Sequence, residues 1–492
     1  MMHALSRRIT DVLALQPDTR ALEYEGRWHT WAQLRTLAAT IGDAVGQHHA
    51  GGPPQIGILL RNRPAHVAAL LGVLATGATV VVINPSRGDA RTRADITALG
   101  LPVLIGAPED LDAHVDPGTD GTRVEIHTVD TTPRVVRTGD IPGPGSRPGV
   151  AVRMLTSGTT GPPKRVDLTY DMLARSVIGP SPDDAAAPTA PRSGVAIVNS
   201  PLVHIGGVYR ILLCIAEARP FVLLERFELT RWAEAVRTHR PRAASLVPAA
   251  LRMVLHSDLR REDLAGLRVV TSGTAPLSAD DAEAFTAKFG IPVLTSYAAT
   301  EFGGGVAGWT LADHRRYWEA KRGSVGRANP GAQLRVVADG GDTLGPDEPG
   351  LLEVKPAQLG PDAQWIRTTD LARIDADGFL WILGRADQAI IRGGFKVMPD
   401  DVRAALESHP AVRGAAVVGR PDDRLGEIPA AMVELRAHVD TGELIDFLRD
   451  RLSGYEIPTE IAVVEAIPRT PSGKADLQAV RRHFSGRAER VG

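Results

Sequence analysis

Short apolar runs alternate with segments of helical periodicity over the first 300 residues of the chain. Strands are predicted at residues 56–60, 78–83, 195–198, 221–224, 243–247, 267–271 and 293–296. Helices are predicted at residues 66–76, 207–217 and 278–289. Strands that alternate with helices need crossover connections, which build parallel sheets covered by helices. Because ligands bind beyond the carboxyl ends of such strands, the loops directly after strands are the places to look for chemistry.

The pattern changes in the second half of the chain. Residues 327–354 carry short apolar runs separated by Gly, Pro and Asp, which is typical of antiparallel strands. Beyond residue 384, helices at 399–406 and 444–452 and strands at 415–418, 430–435 and 461–464 form a hydrophobic pattern of their own. We therefore predict an α/β protein. Its large domain, residues 1–384, has parallel sheets covered by helices plus a β subdomain, and a small α+β domain follows at 385–492.

Composition excludes several classes of function. Lys and Arg total 56 against 58 Asp and Glu, a formal charge of −2, so a general nucleic-acid binder is not expected. The single cysteine, Cys214, rules out an internal disulfide and a Cys-ligated metal cluster, and its apolar neighbours predict a core position. The uncharged stretch at residues 64–86 divides into a helix and a strand, so no membrane span is predicted. With no secretory signal apparent, we expect a cytoplasmic location.

A loop rich in glycine, threonine and proline follows the apolar residues before 156. Its sequence is Thr156-Ser157-Gly158-Thr159-Thr160-Gly161-Pro162-Pro163-Lys164. Glycines let backbone N–H groups turn toward an anion, hydroxyls add donors and the lysine adds charge, as a polyphosphate requires. The spacing differs from that of a Walker A loop. On these residues alone, a polar surface loop remains the alternative.

Further motifs follow in an order that resembles the adenylate-forming superfamily of acyl-CoA synthetases, peptide-synthetase adenylation domains and luciferases. They are Tyr297-Ala298-Ala299-Thr300-Glu301, Gly323-Ser324-Val325-Gly326, Arg367-Thr368-Thr369-Asp370, Gly384-Arg385-Ala386-Asp387, Arg392-Gly393-Gly394-Phe395-Lys396-Val397 and Pro471-Ser472-Gly473-Lys474. Each string is short, but with the phosphate loop they make seven in order between residues 155 and 474. The resemblance covers essentially the whole chain.

The resemblance implies a binding site for ATP and AMP. Its residues would be Thr156, Ser157, Gly158, Thr159, Thr160, Gly161 and Lys164 at the phosphates, Ser272, Gly273, Thr274, Ala275, Pro276 and Tyr297 around adenine, and Asp370 and Arg385 at the ribose. An aromatic ring suits adenine, and a carboxylate suits a ribose diol.

The resemblance also implies catalytic roles. Lys474 would bridge the substrate carboxylate and the α-phosphate, Thr300 would contact that phosphate and Glu301 would ligate Mg²⁺. Asp387 would be the hinge about which residues 385–492 rotate between half-reactions. A further set would lie beside the pantetheine of CoA: Gly393, Gly394 and Phe395.

An acyl pocket is expected near the segment Pro201-Leu202-Val203-His204-Ile205-Gly206-Gly207, where His204 would line or gate the carboxylate end. Small residues would leave volume for the acid: Gly206, Gly207, Ala298, Ala299, Gly303, Gly304 and Gly305. This favours a bulky acid, aromatic or polycyclic. Departures from the family pattern are Arg165 and Thr369, each in place of glycine, and a shortened segment at 356–364.

The function implied is that of an ATP-dependent carboxylate–CoA ligase, which makes acyl-AMP and then acyl-CoA with release of pyrophosphate and AMP. ATP, Mg²⁺ and CoA are the expected cofactors, and a small carboxylic acid is the expected substrate. One alternative is an acyl-AMP ligase that loads the pantetheine of an acyl carrier protein. A second is a nucleotide-binding protein without activity on a ligase scaffold.

Overall fold

The computed structural model describes residues 2–46, 52–116, 118–139, 143–145, 147–155, 164–392, 395–422, 424–470 and 473–488. The helices are α1 (Ala4–Leu13), α2 (Trp31–Gly46), α3 (Pro64–Ala75), α4 (Asp89–Leu99), α5 (Pro108–His114), α6 (Tyr170–Val177), α7 (Ile205–Ala216), α8 (Leu229–His239), α9 (Pro248–Leu255), α10 (Ala279–Phe289), α11 (Leu311–Tyr317), α12 (Pro399–Glu407), α13 (Thr441–Arg449) and α14 (Leu477–Ala488).

The strands of the N-terminal half are β1 (Arg20–Tyr24), β2 (Arg27–Thr30), β3 (Gln55–Leu59), β4 (Thr79–Ile83), β5 (Val103–Gly106), β6 (Thr122–Glu125), β7 (Arg134–Arg137), β8 (Val150–Leu155), β9 (Arg165–Thr169), β10 (Ala196–Val198), β11 (Phe221–Leu223) and β12 (Ala243–Ser245). The later strands are β13 (Val269–Ser272), β14 (Val293–Ala299), β15 (Gly304–Gly308), β16 (Arg327–Ala328), β17 (Gln333–Val337), β18 (Gly350–Lys355), β19 (Ile366–Ile374), β20 (Leu380–Arg385), β21 (Ile390–Arg392), β22 (Phe395–Val397), β23 (Val412–Asp422), β24 (Gly426–Leu435) and β25 (Glu460–Val464).

The first large sheet has the order β7-β6-β5-β3-β4-β8-β9 and is parallel in its centre. Its inner strands β3 and β4 are buried along their whole length, as their continuous apolar sequences require. Helix α3 packs against α2 at Gly72, where a Cβ atom would lie 2.4 Å from the carbonyl oxygen of Ala38. Only glycine permits that approach of two helices.

Two further sheets carry the predicted strand–helix alternation. Their orders are β10-β11-β1-β2 and β12-β13-β14-β15-β16, and β12, β13 and β14 pair in parallel. The strand ends of β13 and β14 lead directly into Gly273 and Thr300. The predicted α/β class with parallel sheets is confirmed, and the predicted antiparallel region is the sheet β17-β18-β19-β20.

The C-terminal region packs α12, α13 and α14 on a sheet of β21 to β25. Val402, Leu406, Val417 and Leu444 lie in one of its apolar cores. An ion pair of 3.0 Å joins Arg252 of α9 to Glu407 of α12, so this region is fastened to the rest of the chain.

The position of the single cysteine and the character of the helices were both predicted from the sequence. Cys214 is fully enclosed in α7, and burial raises the pKa of its thiol to about 12, so the predicted core position is confirmed. Among the helices that the structure describes, none combines the length and the apolar character needed to cross a bilayer.

Candidate active site

The phosphate loop, residues 156–163, lies outside the described residues. Its two ends are described: β8 stops at Leu155, and Lys164 is exposed directly before β9. Arg165, which stands in place of the family's glycine, donates to Asp95 at 2.6 Å and to the carbonyl of Val82 at 3.1 Å. Its guanidinium is therefore held against α4 and β4.

Three side chains from β14, β19 and β20 meet at the predicted ribose end of the site. The hydroxyl of Tyr297 donates to Oδ2 of Asp370, and Asp370 pairs across the sheet with Arg385. Arg385 in turn donates two hydrogen bonds, of 2.8 and 2.6 Å, to the carboxylate of Asp387. The antiparallel register places Arg385 beside Asp370, and the contact between two sheets brings Tyr297, 73 positions before Asp370, to the same point.

Burial and charge act in opposite directions on Asp370. Burial raises the pKa of this carboxyl, while the Tyr297 hydroxyl and the Arg385 guanidinium lower it. Burial and the Asp370 charge both raise the pKa of Tyr297, so the phenol keeps its proton and remains a donor. The result is a carboxylate held in place by one donor, with acceptor capacity left for a ligand diol.

Lys474 projects from a tight turn of the C-terminal region. The N–H of Thr470 donates to the carbonyl of Lys474 at 2.7 Å, and Gly473 adopts a φ of +80° that favours glycine. A Cβ at Gly473 would lie 3.7 Å from Val247 of the segment before α9. The turn therefore rests on the N-terminal part of the chain.

The Lys474 side chain is exposed, but its ammonium lies in a cleft lined by charges from other strands. Desolvation first, and then the Arg385 charge, lower its pKa, while the carboxylates of Asp370 and Glu301 raise it. The structure therefore brings Lys474, Glu301, Asp370 and Arg385 into one electrostatic cluster. Their positions in the sequence span more than 170 residues.

His204 stands at the N-cap of α7 and faces the same cleft. Desolvation, with a smaller contribution from Lys474, lowers its pKa to about 4, so the imidazole is neutral at pH 7. Its Nε2 is buried and has no hydrogen-bond partner among the described residues. A buried ring nitrogen without a partner is costly, and a ligand that bonds to it would remove this cost.

Glu301 lies in a single 3₁₀ turn, Thr300–Phe302, directly after β14. The carboxylate is exposed at the cleft. In the described part of the chain no cluster of three or more His, Cys, Asp or Glu side chains could hold a metal alone. One accessible carboxylate fits Mg²⁺ that arrives with ATP, because this ion binds through one or two carboxylates and substrate phosphates.

The loop after β13 has a special backbone. A Cβ at Gly273 would lie 2.8 Å from the hydroxyl of Ser296, and Thr274 has a φ of +72°. Ser272 is 2% exposed, and its hydroxyl has no partner among the described residues. Strained backbone of this kind persists where the surroundings hold it, often at ligand sites.

The predicted acyl-pocket glycines differ in what they do. At Gly206 the nearest atoms to a Cβ are those of Ser200 at 4.0 Å, so space is present. At Gly207 a Cβ would lie 2.2 Å from the carbonyl oxygen of Pro201, so this glycine permits a close backbone contact and leaves no volume for a ligand. The expectation of pocket volume at Gly207 is therefore wrong.

The glycines after Glu301 are also enclosed. A Cβ at Gly303 would meet Met172 at 2.9 Å, and one at Gly304 would meet Gln358 at 3.2 Å. Both have positive φ, of +69° and +156°. Their small size serves the turn into β15 and its packing against α6, so pocket volume is not their role. Ala298 and Ala299 lie at the end of β14, and Ala298 is exposed.

The remaining motif residues fall into two groups. Gly393 and Gly394 lie outside the described residues, whereas Phe395 is 57% exposed and stacks on Tyr455 with ring centres 4.8 Å apart. Ser324 is structural: its hydroxyl donates to the carbonyl of Leu380 at 2.9 Å and accepts from Gly326. Thr369, the second departure from the family pattern, is exposed on β19.

Three polar residues that bond to β13 and β15 belong to no sequence motif. Arg210 of α7 donates to the hydroxyl of Thr271 at 3.3 Å, and Gln358 and Asn329 both donate to the carbonyl of Gly305. The signal for Arg210 is its position as the one charged residue within the helix sequence of α7. Gln358 lies in the shortened segment, where no motif drew attention to it.

The sequence matches two protein-family profiles and several CoA ligases. The sequence profile of the AMP-binding enzyme matches residues 9–361, and that of the AMP-binding enzyme C-terminal domain matches residues 401–474. An indoleacetate–CoA ligase of Aromatoleum aromaticum is 28% identical over 97% of each chain. The 4-coumarate–CoA ligase 1 of Oryza sativa subsp. japonica is 28% identical over 92% of this chain and 86% of its own.

Solved structures show the same fold. The o-succinylbenzoate CoA synthetase of Bacillus subtilis, in complex with its acyl-adenylate intermediate, superposes with a TM-score of 0.78 at 25% identity. The superposition covers 98% of both chains, so the fold likeness extends over the large and the C-terminal regions together.

Proposed function

This chain belongs to the AMP-binding enzyme family, and from that premise we propose that its cleft activates an aromatic carboxylic acid. The protein is an AMP-forming acid–CoA ligase, which uses ATP, Mg²⁺ and CoA. The aromatic class is supported by relatives named for indoleacetate and 4-coumarate, both aromatic acids. Space at Gly206 beside His204 is consistent with a ring at this position. We also propose a cytoplasmic location, where ATP and CoA are available.

The observation that carries the proposal is the meeting of Lys474 with Glu301, Asp370 and Arg385 in one cleft. We assign Asp370 and Arg385 to the ribose hydroxyls, Tyr297 to the adenine and Glu301 to Mg²⁺. The flat ring of Tyr297 is half-buried and fixed through its hydroxyl, as a stacking surface requires. Thr300, one residue before Glu301, is assigned to the α-phosphate.

In the first half-reaction a carboxylate oxygen attacks the α-phosphorus of ATP and pyrophosphate leaves. Negative charge develops on the α-phosphate oxygens, and the Lys474 ammonium stabilises it from a partly desolvated position. Neutral His204 adds no charge and can donate or accept one hydrogen bond at the acid. When bound with ATP, Mg²⁺ supplies charge neutralisation at the phosphates.

In the second half-reaction the CoA thiol attacks the acyl carbon and AMP leaves. We propose that residues 385–492 rotate about Asp387 between the two steps, and that the segment with Gly393, Gly394 and Phe395 then lies beside pantetheine. We assign the arrangement in which the Lys474 turn rests near Val247 to the first step. Rotation would carry Lys474 away and admit the thiol.

Product analysis tests this function. The purified chain is incubated with ATP, Mg²⁺ and CoA and, in turn, acetate, octanoate, benzoate, indoleacetate or 4-coumarate, and AMP and acyl-CoA are measured by mass spectrometry. We expect acyl-CoA and AMP in equal amounts, with the highest kcat/KM for an aromatic acid. A clear preference for acetate would contradict the aromatic class. Acyl-AMP that accumulates with CoA but is consumed by a holo-carrier protein would indicate the other acceptor.

A further inference from the structure

Polar groups of β13, β14 and β15 lie on the strands beside α7, where the acyl pocket is proposed. Thr271 and Gly273 of the β13 edge share one face with Ser296 of β14, because the strands pair in register and side chains alternate. Asn329 lies against Gly305 and Gly308 on the neighbouring strand β15. A pocket intended only for a hydrocarbon ring would not need this number of hydrogen-bonding groups.

Arg210 is the charged member of this wall. It lies on α7 four residues after Gly206, so both residues lie on the same face of the helix. Its guanidinium is half-buried and donates to Thr271, whose hydroxyl donates to the carbonyl of Ala244 at 3.4 Å. Helix α7 also contacts β15, the strand that contains Gly305.

The charge of Arg210 is not balanced by a carboxylate. No Asp or Glu oxygen lies within ion-pair distance of it among the residues that the structure describes. Arg219, beyond the end of the same helix, shows the contrast, because it pairs with Glu217 at 2.8 Å. A partly buried arginine whose guanidinium has N–H donors beyond the one bonded to Thr271 favours an oxygen ligand, because its fork of donors matches an oxygen acceptor.

Arg210 lies further along α7 than the residue at its N-cap, His204. The two residues are six positions apart in the sequence, a rise of about 9 Å along the helix axis. His204 and Lys474 mark the end where the carboxylate reacts. A para-substituted phenylpropenoic acid carries its reacting carboxylate and its para substituent at opposite ends, so such acids are suitable probes of a group at the remote end of the pocket.

We propose that Arg210 is a specificity-determining residue that binds an oxygen acceptor at the end of the acyl group remote from the reacting carboxylate. The preferred acid then carries a carboxylate or hydroxyl oxygen on its ring, opposite the acid side chain. This inference rests on the proposed function, because it concerns the acyl pocket of the same reaction. It extends that function by stating which substituent the ring carries.

Acid-dependent ATP–pyrophosphate exchange with four cinnamic acids tests the proposal. The para substituents are hydrogen, methyl, hydroxyl and carboxylate. Methyl and hydroxyl are similar in size but differ in hydrogen bonding, and the carboxylate adds a negative charge. For the wild-type chain we expect the para-hydroxyl or the para-carboxylate acid, whichever is preferred, to exceed the para-methyl acid by about tenfold or more in kcat/KM. For Arg210→Met we expect that preference to disappear, with the methyl acid changed less than about threefold.

Two controls separate recognition from folding. Arg219→Met removes a paired arginine outside the site and should leave the acid profile unchanged. Arg210→Lys keeps the charge but not the fork of donors, and should retain part of the preference for the carboxylate. The melting temperature of each variant reports on its fold.

Three outcomes are distinguishable. Loss of the para-oxygen preference in Arg210→Met alone supports the proposal. Equal losses for all four acids indicate a structural role and contradict it, as does a wild-type chain that exchanges pyrophosphate without regard to the substituent. If none of the four acids supports exchange in the wild type but benzoate or indoleacetate does, the role of Arg210 is contradicted and the proposed function stands. If no aromatic acid supports exchange, the proposed function fails as well.

Discussion

At the scale of single residues, the hydrogen bond from Tyr297 to Asp370 links a predicted adenine contact to a predicted ribose contact. Tyr297→Phe keeps the ring and removes the donor that lowers the Asp370 pKa, so that pKa should rise above its already raised position. We expect the acid limb of kcat/KM for ATP to move to higher pH and KM for ATP to rise roughly tenfold. An unchanged pH profile would exclude a role for this bond in holding the carboxylate ionised.

Lys474 is the residue on which the two half-reactions should differ. Lys474→Ala removes the ammonium that faces the developing charge, which typically costs about 10²–10³ in rate. We expect adenylation to fall by this factor, while thioester formation from supplied acyl-AMP stays largely intact. Equal loss in both half-reactions, with an unchanged melting temperature, would contradict the assignment.

Glu301 should report on the metal. Glu301→Gln keeps the shape and removes the charge at the cleft, so the Mg²⁺ concentration needed for half-maximal adenylation should increase several-fold. The measurement is a Mg²⁺ titration at saturating ATP. If the titration is superimposable on that of the wild type, Glu301 is a structural residue of the 3₁₀ turn.

At the scale of elements, the start of α7 offers a matched pair of adjacent glycines. Gly206→Ala meets only Ser200 at 4.0 Å and should leave stability unchanged or raise it by up to about 1 kcal/mol, since alanine favours a helix. Gly207→Ala places its Cβ against the Pro201 carbonyl and should destabilise the fold by about 2 kcal/mol or more. Urea unfolding of both variants measures the difference in the free energy of unfolding. Equal stability would show that the loop before α7 moves to accommodate the added Cβ at little cost.

Elements with strong local signals could be predicted from the sequence. The run of β-branched residues in β4, the Pro at the start of α12 and the Ser278 cap of α10 all mark boundaries within about two residues. The contact of Tyr297 with Asp370 could not be predicted from the residues alone, because it depends on how two sheets meet. Gly207 shows a second limit: a sequence does not reveal whether a glycine creates space or admits a neighbouring backbone.

The motif order predicted a common site for Lys474, Glu301, Asp370 and Arg385, and the other three charges do act on the pKa of Lys474. Their roles in binding and catalysis stay predictions. Arg210 could not be predicted as a site residue because it belongs to no motif. Its proposed role depends on the absence of a nearby carboxylate among the described residues. Arg165 could not be interpreted either, since its partner Asp95 lies 70 residues away.

At the scale of the whole molecule, the contact between the two regions is itself charged. Arg252 of α9 binds Asp281 at 2.6 Å and Glu407 at 3.0 Å, and Glu407 also binds Arg403 at 2.6 Å. These side chains are mostly buried, so each depends on its partners for compensation. The proposed rotation would have to break the Arg252–Glu407 pair, which leaves Arg403 as the partner of Glu407 within α12.

Stability of the whole chain should fall on the acid side because of His66. This residue is 1% exposed in α3, its Nδ1 accepts from the N–H of Arg61 at 3.3 Å, and desolvation lowers its pKa to about 4. Its ordinary pKa is 6.5, so the unfolded chain binds the proton first and stability is lost as pH falls from 6.5 through 4. Between about pH 7 and pH 5 the loss from this residue is about 2 kcal/mol.

The variant His66→Asn keeps an acceptor near Nδ1 but cannot take up a proton. The variant should be less stable than the wild type at neutral pH. Its free energy of unfolding should change less between pH 7 and pH 5, by the amount that His66 contributes in the wild type. Urea unfolding at the two pH values measures both. If the free energy of unfolding of the variant depends on pH as that of the wild type does, His66 has the same pKa in the folded and the unfolded chain.

The central claim is that one cleft, completed by Lys474 of the C-terminal region, joins a carboxylic acid to AMP. ATP–pyrophosphate exchange, measured for the wild type and Lys474→Ala with and without an aromatic acid, tests it most directly. We expect exchange that requires the acid and Mg²⁺ and that falls about 10²–10³-fold in the variant. Exchange independent of any acid, or equal in the two proteins, would contradict it.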